Sequence, residues 1–174
     1  VKVNGQIKGP LADAFKLMSN TALAPLIDDA LASATGAGEA DVKLALNLPV
    51  ADMAKSTVRG SVTLAGNDLQ ISRNSPKLSR TKGVLNFTES GLNMAGVQAR
   101  LLGGDAQLDG GLVFDPTSLS ARGKPEVIRV RGVATSDGLR QANELGFIAR
   151  LARHTSGSAA YTAALGVRQG QLEL

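Results

Sequence analysis

Residues 58–114 read VRGSVTLAGNDLQISRNSPKLSRTKGVLNFTESGLNMAGVQARLLGGDAQLDGGLVF, and the alternation inside this stretch decides the fold. Val58, Gly60, Val62 and Leu64 share one parity, and Arg59, Ser61 and Thr63 the other. Gly83, Leu85 and Phe87 stand in the same way against Lys82, Asn86 and Thr88, as do Leu108, Gly110, Leu112 and Phe114 against Gln107 and Asp109. A period of two belongs to a pleated strand with one apolar and one wet face. Gly66-Asn67-Asp68, Glu89-Ser90-Gly91 and Gly103-Gly104 offer the positive φ of tight turns. The stretch predicts a meander of about five antiparallel strands sharing one apolar face.

Outward from the meander the same alternation returns. Val1 to Lys8, Asp41 to Leu48, Glu126 to Ala134 and Ser158 to Val167 read as strands, and Gln171 to Leu174 as the start of another. Pro10 suits the first turn of a helix, and Leu11, Phe15 and Met18 follow at helical spacing. Leu23, Leu26, Ile27, Ala30 and Leu31 extend the stripe into a second short helix. A further helix is expected from Gly138 to His154, capped by Ser136 or Asp137, with the stripe Leu139, Ala142, Leu145, Ile148, Ala149, Leu151 and Ala152 packed on the sheet. The unit strand, helix, Gly, strand thus occurs twice, with Gly5 matched to Gly132 and Gly38 to Gly157. This divides the chain into a strand-helix-strand unit at 1–49, the meander at 50–125 and a second unit at 126–174 that opens the next repeat of one continuous module. The fold class expected is α+β, mainly β: a curved antiparallel sheet, open and groove-like, with two helical insertions on or beside it.

Composition excludes more than it assigns. The chain has 174 residues, 43% of them apolar, so it can bury a core; 20 glycines fit many turns. It has no cysteine, which excludes disulfides and thiol chemistry. No apolar run approaches the roughly 20 residues that span a bilayer, which predicts a soluble piece. The net charge of +4 reads as a solvated surface. Four Phe, one Tyr and no Trp are too few platforms for nucleic acid.

No catalytic constellation emerges. His154 is the only histidine, with no Gly-x-Ser-x-Gly elbow and no metal-ligand spacing, and reads as a surface residue near a helix C-terminus. Asp28 and Asp29 are adjacent and diverge on a helix; Asp105 and Asp109 are too far apart on a strand to share a proton. Gly36-Ala37-Gly38 lacks the third glycine and acidic partner of a dinucleotide site. The chain is expected to be non-enzymatic, with no cofactor and no metal.

Three phrases carry a resemblance. VRGSVTLAGNDLQI, KGVLNFTESGL and ARLLGGDAQLDG resemble the central repeats of AsmA-like proteins of the YhdP type, relatives of TamB. The distinctive pair is the hairpin Gly83, Leu85, Phe87, Thr88, Glu89, Gly91, Leu92 and the strand end Leu102, Gly103, Gly104. The resemblance implies an internal fragment of a long periplasmic protein of Gram-negative bacteria, anchored in the inner membrane. Such a protein curls its sheet into an apolar groove and moves phospholipid between the inner and outer membranes. On that basis Val62, Leu64, Leu85, Phe87, Leu108 and Leu112 are the candidate groove lining, with phospholipid acyl chains and neighbouring repeats as the partners. Strands of eight or nine residues reach about 30 Å, longer than an acyl chain needs. The alternative is a scaffold segment of an envelope protein, its apolar face sealed by the helices into a dry core.

Overall fold

The alternating segments pair into one antiparallel sheet. The computed structural model describes residues 2–19, 34–47, 57–71, 75–88, 91–113, 127–142, 145–168 and 171–173. In chain order the strands are β1 (Lys2–Pro10), β2 (Thr35–Ala37), β3 (Glu39–Asn47), β4 (Thr57–Gln70), β5 (Leu78–Thr88), β6 (Gly91–Leu101), β7 (Gly104–Val113), β8 (Val127–Thr135), β9 (Ser158–Arg168) and β10 (Gln171–Glu173). They run side by side as β1-β3-β4-β5-β6-β7-β8-β9-β10, with β2 pairing the far part of β4. The fold is mainly β with short helices, as the alternation predicts. The meander holds four described strands, β4 to β7, and continues without a break into β3 on one side and β8 on the other.

Two turn assignments resolve differently. Gly66-Asn67-Asp68 makes no hairpin; β4 runs through it, with register shifts at 65/67 and 67/69. The reason is that Asn67 turns its side chain inward and replaces the missing ladder bonds. Its Oδ1 accepts from Ala65 N–H at 3.0 Å, and its Nδ2 donates to the carbonyls of Ala37 and Glu39 at 3.2 and 3.0 Å. The β6–β7 connection is the tight turn expected, made by Leu102 and Gly103, both at positive φ, between the paired Leu101 and Gly104. Residues 89 and 90, expected as a turn, lie outside the described residues, between the paired Thr88 and Gly91.

The helical segments depart further. α1 (Leu11–Ser19) forms as predicted and sends Leu11 and Phe15 onto the apolar face beside Leu64 and Leu69. The second short helix expected near residues 21–31 lies outside the described residues. The single helix expected over 138–154 is broken into α2 (Ser136–Gln141), α3 (Phe147–Leu151) and a 3-10 turn (Ala152–His154). Gly146, at φ 52, stands before α3 and cannot continue a right-handed helix. The broken stripe is divided between buried and exposed positions. Ala142, Ala149 and Ala152 are buried, while Phe147, Ile148 and Leu151 are exposed.

Both insertions are fastened alike. Leu11 N–H donates to Gly38 O at 2.9 Å, and Ser136 N–H to Gly157 O at 3.0 Å. Gly38 and Gly157 both adopt left-handed φ, 92° and 102°. These two glycines are equivalent. Gly5 and Gly132 are not: Gly5 precedes its junction by six residues and Gly132 by four, so Gly5 corresponds to Val130.

Candidate functional site

Strand register sets the residues of the apolar parity in rows that run across the sheet. One row is Ile7, Val42, Val62, Leu85, Met94, Gly110, Ile128 and Leu165, each paired with the next. A second is Gly5, Leu44, Gly60, Phe87, Leu92 and Leu112. A third is Val97, Leu108, Val130 and Ala163. None holds a charge. With strands about 4.8 Å apart, the first row covers roughly 34 Å along the sheet. The apolar path therefore crosses the strands, whereas strand length alone points to a groove along them.

The face bends at its irregularities. Register shifts occur in β4–β5, β5–β6 and β6–β7, and such bulges increase local twist and bend a sheet. At Gly83, with φ 138, a Cβ would stand 2.9 Å from Val97 Cγ2 and 3.1 Å from its Cα, so only glycine lets β5 and β6 approach so closely. Two buried clusters result. One is Met94, Val97, Ala99, Leu101, Ala106, Leu108, Ile128 and Val130; its partly buried partners are Leu78, Leu85, Leu92, Leu102, Tyr161 and Ala163, all on strands or the β6–β7 turn. The other is Leu11, Ala40, Val62, Leu64 and Leu69, with Ala14 and Phe15 of α1 packed on it. Leu85 touches both.

The six residues singled out from sequence divide accordingly. Val62, Leu64 and Leu108 are buried; Leu85 and Phe87 are half-buried. Leu112 stands opposite Leu92 in the β6–β7 ladder. Val62, Leu64, Leu85 and Phe87 share one part of the face, and Leu108 belongs to the next cluster. The sequence reading left out the flanking strands, where Val42, Leu44 and Leu46 of β3 are half-buried and Val3 and Ile7 of β1 are exposed. The same alternation marks them in sequence, where the strand-helix-strand division sets them apart from the meander. Phe87 lies over Gly60, where any Cβ would collide with its ring.

Three polar groups interrupt the face. Asn67 is fully engaged. Thr81 is buried and its Oγ1 has no partner among the described residues; neither has the hydroxyl of Tyr161, whose pKa is raised by burial. The opposite face is polar, with Gln6 and Lys8 both bound to Asp41. A shallow depression of 530 Å³ lies over β1, β3 and β4, lined by Asn4, Gln6, Lys43, Arg59 and Ser61 among others. Among the described residues no group of three or more His, Asp or Glu could hold a metal, and no helix is long and apolar enough to cross a membrane. His154 sits in the 3-10 turn and is exposed.

The family model of the YhdP protein matches residues 1–174. No curated protein and no solved structure matches the chain. With the whole length covered and the repeat-like hairpins in place, the chain belongs to the YhdP family of bacterial envelope proteins.

Proposed function

We propose that the apolar face carries phospholipid acyl chains, in a non-enzymatic segment of a periplasmic, bridge-like protein that moves lipid between the inner and outer membranes. The observation that carries this reading is the charge-free, half-buried or exposed side chains that successive strands set side by side, Ile7 with Val42, Gly5 with Leu44, and Phe87 with Leu92. An acyl chain laid along them forfeits no hydrogen bonds, and each buried methylene contributes about 0.8 kcal/mol. The accessible part is Val3, Ile7, Val42, Leu44, Leu46, Leu85, Phe87 and Leu92, which are half-buried or exposed. Neighbouring repeats of the same protein, anchored in the inner membrane, would extend the path.

One observation favours a second reading, a scaffold segment with a dry core. Val97 and Val130 are only 2% and 1% exposed in the chain itself, so that cluster has nothing left to offer a ligand. The two readings separate by position: the buried residues of β6–β8 are packed on one another, whereas the half-buried and exposed side chains from β1 to Leu92 stay accessible. Native mass spectrometry of the purified protein tests the proposal. Co-purifying phospholipid that is lost in Leu85→Asp, with the fold retained, supports it. A lipid-free protein, or lipid unaffected by Leu85→Asp, sinks it in favour of the scaffold.

A further inference from the structure

α3 and the 3-10 turn after it bury their small apolar side chains and expose their large ones. Ala149 and Ala152 are buried, while Phe147, Ile148 and Leu151 are 69%, 51% and 55% exposed. At 3.6 residues per turn, Phe147, Leu151 and Ile148 span an arc of about 100°, with Ala149 on the other side. Arg150, Arg153 and His154 are also exposed, and among the described residues no ion pair joins any of them. Residues 145–157 contain no Asp or Glu. The insertion follows β8 directly and precedes β9, so this corner stands at the strand ends, at the end where β6 turns into β7.

We propose that this corner is a docking point for an anionic phospholipid bilayer surface. The charge selects the occupant: cations with no ion pair among the described residues, beside three large apolar side chains, match a surface of phosphates over hydrocarbon. The size agrees. A five-residue helix with three anchors is far smaller than the roughly 800 Å² per partner of a stable protein interface, whereas bilayer insertion needs only a short apolar wedge with cations at headgroup level. The inference is independent of the groove, since the corner is formed by residues outside the apolar rows.

Vesicle co-flotation of the purified protein tests it, with phosphatidylcholine vesicles with and without phosphatidylglycerol. Binding is expected only with phosphatidylglycerol and falls as salt rises. Phe147→Ser with Leu151→Ser abolishes it, and Arg150→Gln with Arg153→Gln weakens it about 25-fold, at about fivefold per lost cation. All four positions are exposed, so melting temperatures stay unchanged, which checks that the variants fold. Leu85→Asp leaves vesicle binding intact, which separates this site from the groove. Equal binding to both vesicle types, or binding indifferent to the corner variants, overturns the proposal. So does self-association in sedimentation that depends on Phe147 and occurs without vesicle binding, which would assign the corner to a second copy of the chain.

Discussion

At the scale of single residues, the curvature of the sheet rests on three side chains that satisfy backbone N–H groups at its bulges. Asn67 Oδ1 takes the N–H of Ala65, Asp68 Oδ1 that of Arg80 at 3.0 Å, and Asp109 Oδ1 that of Gly96 at 2.6 Å. Arg80 and Gly96 both lie at positive φ, where the ladder is interrupted. Removing the amide in Asn67→Ala leaves the buried bulge unsatisfied and is expected to cost about 1–3 kcal/mol, read as a lower melting temperature; an unchanged melt would show that the bulge holds without it. Asp68 adds a pH dependence. Its pKa lies below the ordinary carboxylate value, chiefly through the Arg80 N–H and further through Lys77, with burial opposing. A depressed folded-state pKa means stability that is present above the ordinary value and lost as pH falls through the folded-state one. Melting temperature should therefore decline in acid, less steeply in Asp68→Asn; identical slopes would remove Asp68 from the account. Asn67 and Asp68 looked like turn residues because Gly-Asn-Asp serves hairpins and bulges equally. Only the partner strand, β2–β3, decides between them.

At the scale of elements, the strands were legible because alternation is a local property that the register then preserves. The β1, β3, β8 and β9 boundaries lie within about two residues of those read from sequence, ordinary for element ends. The insertion after β8 was not legible. Leu145, Ile148 and Leu151 have helical spacing, and spacing cannot tell a stripe that meets a sheet from one that is broken. α2 already ends at its C-cap Ala142, and nothing near Gly146 in sequence marks its left-handed φ. A pair of substitutions measures the difference. Leu64→Ala, in a buried position, is expected to cost about 2–5 kcal/mol. Ile148→Ala, on the exposed side, should change stability by no more than about 0.5 kcal/mol. Equal losses in thermal melts would mean that α3 packs on the core after all.

At the scale of the molecule, a chain whose neighbours in sequence are neighbours in the sheet turns local alternation into one long apolar face. That face was visible in sequence strand by strand. Its direction was not, because register is a relation between strands: Val62 meets Leu85 and Val42 only once pairing is fixed. Nor could the sequence say which inward residues pack on each other and which stay open, since that follows from bulges and from the close approach at Gly83. The central claim, that the open part of this face holds acyl chains, is tested most directly by adjacent residues of one strand. Leu85 is half-buried on the apolar face and its neighbour Val84 is 41% exposed. A photocrosslinking amino acid is placed at each position in turn in the full-length protein in cells. The account predicts phospholipid adducts at 85 and not at 84. Adducts at neither position, or equally at both, would contradict it.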